Sequence, residues 1–315
     1  MEQSSDNLKD VYKEINTVDG EFAVTMEGGS SCEFAETSIH NYCHYGSNSE
    51  KGKCHNYFEM ASSGVIRLLI NLKEKCNLEY DKLAEYAILF LSYKLNQNEK
   101  NKLTDLNEFY TSYIETNEYY NNNIKVNDLT YKEIINRKKD LMNIKEISKF
   151  NDPFGILLLL YYVINSSNWN CEKWSQKANE FVKNFETLNN DSNNIKDNPF
   201  SQILSTLSDD YNNLKNIYRD KKSCNFQPLP ELTSQTSPVD SSVKVSGQTL
   251  GKIPEGTSSS LSILNTVIPG LSTFAIPVFL GVAYKYSLFG IDKLFQRQYI
   301  KKKLKKVKKE MEINI

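Results

Sequence analysis

The sequence contains 315 residues, whose 38 basic and 39 acidic side chains give a formal net charge of −1. A hydrophobic fraction of 39% and a mean hydropathy of −0.52 exclude a polytopic membrane protein and favour a helical domain with a polar surface. The basic residues are concentrated near the C-terminal end, so the rest of the chain is net acidic. This argues against a nucleic-acid partner, because such a surface normally carries a basic stripe.

Residues 1–53 form the first segment, and they show no sustained hydrophobic periodicity. Their Gly/Ser-rich stretches, GGSSCEFAETS and YGSNSEKGK, are typical of loops. The first 15 residues lack the basic and apolar stretches of a secretory signal peptide. We therefore expect a loop-rich, cysteine-containing N-terminal region without a cleaved signal, held together by disulfide bonds rather than by a packed core.

The chain has six cysteines, and four of them precede residue 77. An even number in a region predicted to lie outside the cytosol fits up to three disulfide bonds. Six cysteines allow 15 connectivities, and their spacing does not choose among these. The candidate disulfide residues are Cys32, Cys43, Cys54, Cys76, Cys171 and Cys224.

From residue 54 the sequence takes up the period of amphipathic helices. The runs 57–76 and 80–95 each place apolar side chains on one face, and 104–120 is a weaker helical run. Thr130, followed three residues later by Glu133, predicts a capping box that opens a helix to about Lys149.

The most hydrophobic run before residue 226 is PFGILLLLYYVI, which follows a predicted turn at Asn151 and Asp152. Pro153 is expected at the first helical position. The run is about 11 residues long, too short to cross a bilayer, and it is predicted to be the central core helix. A re-entrant membrane segment is the alternative.

Two further amphipathic helices precede residue 225, and the pair Asp209–Asp210 on the second is expected to face solvent. No strand-like alternation rivals these helices. Residues 54–225 are therefore predicted to be an all-α, disulfide-bearing bundle of roughly six to eight helices. The apolar stripes of the two helices are Trp174, Ala178, Phe181, Phe185 and Leu188, then Ile203, Leu207, Tyr211, Leu214 and Tyr218.

Residues 226–260 are rich in Ser, Thr and Pro and poor in aromatic side chains, and they predict a disordered stalk. Residues 261–284, LSILNTVIPGLSTFAIPVFLGVAY, carry no formal charge. A helix of this length reaches about 36 Å, enough to cross a hydrocarbon core about 30 Å thick. We expect a single transmembrane helix here. A buried core helix is the alternative.

Residues 285–315 form a short basic tail. The positive-inside rule places this tail in the cytosol and the preceding residues on the outer or lumenal side. Lysines and arginines near an anionic leaflet each contribute about 1 kcal/mol of attraction, so the lipid bilayer is the expected partner of the tail. The predicted membrane-surface contacts are Lys285, Arg297, Lys301, Lys302, Lys303, Lys305, Lys306, Lys308 and Lys309.

The sequence carries none of the common catalytic or phosphate-binding motifs. The sequence has no Gly-rich phosphate loop, no Ser-centred nucleophile elbow, no HExxH and no CxxC, so we expect neither an enzyme nor a cofactor. The one alternative is a zinc site built from His40, Cys43, His44, Cys54 and His55, although their spacing fits no common zinc module.

Two long segments resemble the Plasmodium interspersed repeat (PIR) proteins, a variant-antigen family of malaria parasites, and most of all its rodent-parasite branch. Residues 153–185, PFGILLLLYYVINSSNWNCEKWSQKANEFVKNF, are similar to the family's central helical pair. Residues 287–315, SLFGIDKLFQRQYIKKKLKKVKKEMEINI, are similar to its juxtamembrane tail. The resemblance implies a helical ectodomain, one membrane helix and export in infected red cells.

These observations and the resemblance lead to two hypotheses about function, one for the head and one for the tail. The first is a non-enzymatic, single-pass variant antigen or adhesin in the infected red cell, the parasitophorous vacuole or exported membranes. Its head would meet a host-cell receptor or an antibody and serve immune evasion. The alternative is a structural or trafficking protein of parasite-made membranes that acts through its basic tail.

Overall fold

The structure is a computed structural model that describes residues 5–27, 30–44, 52–97, 105–123, 125–144, 147–164 and 170–235. Most of these residues are helical, as the sequence predicts. The α-helices are α1 (Ser5–Asp19), α2 (Thr37–His40), α3 (Tyr57–Cys76), α4 (Tyr80–Asn96), α5 (Leu106–Phe109), α6 (Glu118–Asn123), α7 (Tyr131–Asn136), α8 (Asn151–Val163), α9 (Cys171–Asn189) and α10 (Pro199–Lys222).

Short non-α elements connect these helices. Each of two antiparallel hairpins contains two strands, which pair Phe22 with Ala35 in the first and Lys125 with Thr130 in the second. The remaining elements are β1 (Phe22–Glu27), β2 (Ser30–Ala35), β3 (Lys125–Val126), β4 (Leu129–Thr130), a π-helical turn (Tyr110–Glu115) and two 3₁₀ turns (Lys139–Asn143 and Ile147–Phe150).

The N-terminal region is packed, so its prediction as a loop-rich segment without a core is wrong. Helix α1 buries one face against α3 and α8, and β1 and β2 follow it as a hairpin. Polar residues lie between the apolar residues of α1, and the apolar residues recur at helical spacing. The buried residues of that stripe are Leu8, Val11, Tyr12, Ile15 and Val18.

Helices α3 and α4 lie where the periodicity predicts them. Asn56 caps α3 by accepting a hydrogen bond from Glu59 N, and Asn77 ends the helix in the left-handed region at φ 48°. The capping box of Thr130 and Glu133 is confirmed. The helix that it opens ends at Asn136 instead of continuing to about residue 149. A longer helix would place lysines where the next turn needs apolar side chains.

Helix α8 lies at the centre of the head, as predicted, and packs against α1, α4, α9 and α10. Its apolar side chains are buried on almost all sides, the pattern of a core helix. The apolar stripes predicted on α9 and α10 are also buried. Of the adjacent acids on α10, Asp209 is exposed but Asp210 is only 2% exposed, so the prediction that both face solvent is wrong for Asp210.

Lys94, at the C-terminal end of α4, is 1% exposed and joins three elements. Its Nζ donates to Asp19 Oδ1 at 2.8 Å, to Asp19 O at 3.1 Å and to Phe22 O at 2.9 Å. The three ammonium hydrogens therefore all have acceptors. The ammonium also lies 4.2 Å from the centroid of the Phe22 ring. This one group fixes the end of α1 and the start of β1 against α4.

Gly64 of α3 allows the Phe22 ring to come close to the α3 backbone. A Cβ at Gly64 would lie 2.5 Å from Phe22 Cε1, a distance that Cβ atoms essentially never show. The missing side chain is therefore part of the same junction, because it lets β1 start directly over α3.

Residues 226–235 are hydrogen-bonded to the head, so the prediction of a disordered stalk is wrong for the first ten residues of the proposed segment. Phe226 is buried, and Gln235 pairs with Ile195 as a parallel bridge. The rest of the predicted stalk, the apolar stretch 261–284 and the tail 285–315 lie outside the described residues. Among the residues that are described, no helix is long and apolar enough to cross a membrane.

We predict that Lys94→Met lowers the free energy of unfolding by about 3–5 kcal/mol, because it leaves the Asp19 carboxylate buried without its cation. Denaturant unfolding of the full-length chain, followed by circular dichroism, measures the change. Lys132→Met is the matched control, since Lys132 pairs with Glu115 at 3.8 Å on the surface and should change stability by less than about 1 kcal/mol. Equal effects of the two substitutions would contradict the prediction.

Candidate functional site

The five residues weighed as zinc ligands lie between α2 and the start of α3, but they do not form a metal site. Cys43 and Cys54 form a disulfide bond with their Cα atoms 5.2 Å apart. His40 Nδ1 accepts a hydrogen bond from Cys54 N at 3.0 Å. The His44 ring stacks on the Tyr119 ring with their centroids 3.7 Å apart.

The described part of the chain contains no group of three or more His, Cys, Asp or Glu side chains that could hold a metal ion. Zinc would need thiolates at Cys43 and Cys54, and both sulfurs are already used in the disulfide bond. The zinc alternative is therefore wrong for these residues.

A second disulfide bond joins Cys171 to Cys224, with their Cα atoms 5.8 Å apart. It ties the first residue of α9 to the segment directly after α10. Inside the helical hairpin that it closes, the rings of Phe181 and Tyr211 stack with centroids 4.6 Å apart. The sequence predicted that Cys171 and Cys224 form disulfides, but it did not give their pairing.

Cys76 keeps a free thiol at the end of α3, where it is buried. Burial raises the pKa of the Cys76 thiol to about 11, and the carboxylates of Glu14 and Asp10 add to the rise. A thiol with so high a pKa is almost entirely protonated at neutral pH and reacts slowly. The side chain of Cys32 lies outside the described residues, and four of the five cysteines with described side chains pair.

The most strongly perturbed carboxyl belongs to Asp210, which lies where α1, α4, α8 and α10 meet. Tyr12 of α1 donates its hydroxyl to Asp210 Oδ2 at 2.7 Å, and Tyr86 of α4 donates to Oδ1 at 3.0 Å. Tyr161 of α8 donates to Asp210 O at 2.8 Å. The rings of Tyr12 and Tyr161 stack with their centroids 4.1 Å apart.

Burial raises the pKa of the Asp210 carboxyl to about 7. The hydroxyls of Tyr12 and Tyr86 and the charge of Lys82 lower this pKa, while the charge of Glu85 raises it. Desolvation exceeds the stabilising contacts because two neutral hydroxyls replace only part of the water that an ionised carboxylate loses on burial. All four side chains of the cluster are at most 3% exposed, so their hydrogen bonds join α1, α4, α8 and α10 inside the head.

The described surface includes one shallow depression of about 240 Å³ beside the α5 N-terminus. Asp105 lies in its wall and caps α5 by accepting a hydrogen bond from Asn107 N at 2.8 Å. The lining side chains contain no paired nucleophile and base, so they can bind polar groups but provide no catalytic pair. The lining residues are Asp105, Leu106, Asn107, Met142, Asn143, Ile144 and Ile147.

The predicted membrane-surface residues, from Lys285 to Lys309, lie outside the described residues. Sequence reasoning missed Lys94 and the Asp210 cluster, although a signal was present for both. Lys94 follows Phe90 by four residues, and Asp210 lies three residues after Leu207, so each shares a helical face with an apolar residue.

Comparison with known proteins gives the family. The model of the Plasmodium variant antigen protein family Cir/Yir/Bir matches residues 12–285. The chain belongs to this family. The family is described by antigenic variation and not by a reaction, which is consistent with a protein that is not an enzyme.

A solved structure of a Plasmodium PIR protein ectodomain is similar to this chain. The two are 33% identical in sequence and superpose with a TM-score of 0.57. The match covers 73% of this chain and 100% of the other. No curated protein gives a significant match. These matches support the PIR resemblance and the helical head, while membership of the rodent branch stays a prediction.

We predict that the two disulfide bonds stabilise this PIR head unequally. The Cys171–Cys224 bond spans 53 residues of sequence and the Cys43–Cys54 bond spans 11. In the loop-entropy account, replacing the first pair with Ala costs about 4 kcal/mol and replacing the second costs about 3 kcal/mol. Denaturant midpoints measure both, with Cys76→Ala as the control that breaks no bond. A larger loss from the Cys43–Cys54 pair would overturn this ranking.

The raised pKa of Asp210 predicts a pH dependence of stability. In the unfolded chain this carboxyl loses its proton near its ordinary value of 3.8, whereas in the folded head it keeps the proton up to about 7. The folded state therefore binds more protons over this range, and the contribution of Asp210 to stability falls as pH rises from about 4 to 7. Below pH 4 the contribution is fully present.

Asp210→Asn removes the titration and keeps the shape of the side chain. The difference in unfolding free energy between the native chain and this variant should change with pH by up to about 1.4 kcal/mol per unit. Denaturant unfolding at pH 5, 6, 7 and 8 measures it, and other carboxyls cancel in the difference. A difference that stays constant across these pH values would show that the Asp210 pKa is not raised.

Proposed function

We propose that this protein is a single-pass membrane variant antigen whose helical head is displayed on the outer or lumenal side and performs no catalysis. The observation that carries the proposal is the extent of the family match. Residues 12–285 include both the head and the uncharged stretch 261–284, so the family's model contains the segment that we interpret as the anchor.

The disulfide bonds support this placement of the head. Cys43–Cys54 and Cys171–Cys224 both lie within residues 5–235, upstream of the uncharged stretch. Disulfide bonds persist in oxidising surroundings and are rare where thioredoxin and glutathione keep thiols reduced. A head with two such bonds is better suited to the outside of a membrane than to the cytosol.

The basic tail supports the opposite placement for residues 285–315. Seven of the nine residues 301–309 are lysines, and this excess of positive charge favours the cytosolic side of a membrane helix. The lysines would attract anionic headgroups of the inner leaflet and hold the tail against the lipid. The protein then resides in the infected red cell, the parasitophorous vacuole or exported membranes, with its N-terminus outside.

We propose that the displayed head meets antibodies or host-cell receptors and that its role is immune evasion or adhesion. The depression beside α5 contains no catalytic pair, and we propose that recognition uses exposed side chains and loops. The alternative, a structural or trafficking protein that acts through its tail, rests on the same lysines and is separated by the experiment below.

Antibody access on infected cells tests the display. We expect an antibody against the head to stain unpermeabilised cells, and an antibody against an epitope tag after residue 315 to stain only permeabilised ones. Tail staining on intact cells would reverse the proposed orientation. Head staining that appears only after permeabilisation would place the protein on internal membranes and favour the structural alternative.

A pair of variants provides the control for this experiment. Replacing the seven lysines between Lys301 and Lys309 with Gln removes the charge of the tail, and deleting residues 5–235 removes the head. If the tail is the working part, the lysine variant changes location while the headless chain stays in place. If display is the function, the headless chain reaches the same membrane but loses recognition by immune serum.

A further inference from the structure

The segment 226–235, FQPLPELTSQ, which we call the strap, follows Cys224 and runs along the hairpin of α9 and α10. Phe226 packs its ring against Tyr218 with centroids 4.3 Å apart, near the end of α10. Gln235 pairs with Ile195 in the turn at the other end of the hairpin. The strap therefore spans the hairpin from one end to the other.

The main chain of the strap makes the contacts. Tyr211 Oη donates to Gln227 O at 2.8 Å. The amide of Asn189 binds two strap residues, because its Nδ2 donates to Glu231 O at 2.8 Å and its Oδ1 accepts from Thr233 N at 3.0 Å. The other main-chain contacts are Asn194 Nδ2 to Thr233 O at 3.1 Å, Gln235 N to Asn194 O at 2.8 Å and Lys196 N to Gln235 O at 3.0 Å.

These contacts fall on odd-numbered residues of the strap, at 227, 231, 233 and 235, and none is described at 229. In an extended chain the N–H and C=O groups of alternate residues point to the same side, so these four residues can all form hydrogen bonds to the head. Pro228 and Pro230 occupy even-numbered positions, where the missing N–H would have pointed away from the head. The sequence of the strap thus fits binding through the main chain of its odd-numbered residues.

The groove under the strap consists of buried polar groups that need a partner. Asn189 is 4% exposed and Asn194 is 1% exposed, and both use side-chain amide atoms on the strap. These amides are buried with the strap in place, and if the strap left, water or another peptide main chain would have to replace its hydrogen bonds. By contrast, the strap residues 231–235 are themselves exposed, so the groove recognises their main chain and not their side chains.

We propose that the hairpin of α9 and α10 is a peptide-binding groove that the strap occupies in cis. Its ligand class is an extended peptide with an aromatic first residue, main-chain N–H groups at the eighth and tenth positions and tolerance for proline at the third and fifth. A peptide of this chemistry from a partner protein binds through its main chain to the side chains of Tyr211, Asn189 and Asn194 when the strap opens. The strap is tethered beside the groove at high effective concentration, so it competes with any such peptide.

Two variants of the full-length chain separate an open groove from a closed one. Phe226→Ala together with Thr233→Pro removes the aromatic anchor and the N–H that Asn189 binds, and leaves every groove residue unchanged. Ser234→Pro is the matched control, since position 234 faces away from the head and needs no N–H. Hydrogen exchange of Gln235 should be fast in the double variant and slow in the native chain and in the control.

The probe is a labelled peptide with the native strap sequence FQPLPELTSQ. We expect it to bind the double variant at least tenfold more tightly than the native chain or Ser234→Pro, in which the strap occupies the groove. A probe with proline at its eighth position, FQPLPELPSQ, should bind at least tenfold more weakly. Adding Asn189→Leu to the double variant should abolish binding of the native probe.

Thr233→Pro alone is the fallback if circular dichroism shows that Phe226→Ala prevents folding. The proposal is overturned if the native probe binds none of the chains although hydrogen exchange shows that the strap is open. It is also overturned if Gln235 stays protected in the variant with Thr233→Pro, because the strap would then be held by something other than the groove. Equal binding of the two probes would show that the groove does not recognise main-chain N–H groups.

Discussion

The fold depends on the hydrogen bonds and the ion pair that the buried ammonium of Lys94 forms. A charge that is 1% exposed is tolerated only when it is paired and fully hydrogen-bonded, and here the acceptors are Asp19 and the carbonyls at the end of α1 and the start of β1. Removing the N-terminal segment would leave this charge without a partner. The head therefore begins at α1, not at residue 54, and the family match beginning at Tyr12 falls within that helix.

Two further junctions reinforce the bundle. Asp210 accepts hydrogen bonds from tyrosine hydroxyls of α1 and α4, which favours one arrangement of these helices because a shifted helix would leave the carboxyl unsatisfied. The Cys171–Cys224 bond closes the hairpin of α9 and α10 covalently. The apolar stripes supply the free energy of burial, and the polar junctions determine which helices meet.

The stripes of α3, α4, α8, α9 and α10 could be predicted from the sequence because apolar periodicity is a local property. Lys94 and Asp210 could not be assigned with the same rule. Charged residues are almost never fully buried unless paired, and the pairing partners are distant in the sequence. Asp19 precedes Lys94 by 75 residues, and Tyr12 precedes Asp210 by 198. Helix α1 carries the same local signal, since Leu8, Val11, Tyr12, Ile15 and Val18 recur at helical spacing, so it could have been predicted from the sequence.

The strap escaped prediction for a different reason, which also bears on how such a head can vary. Composition describes side chains, so a segment rich in Pro, Ser and Thr is predicted to be disordered even where its main chain is bound to the head at four residues. Recognition through the main chain leaves the side chains of residues 231–235 exposed and replaceable. Substitutions at exposed positions usually change stability by less than about 0.5 kcal/mol, whereas the buried junctions tolerate little. One fold can therefore carry many surfaces, which is the physical property that a variant antigen requires.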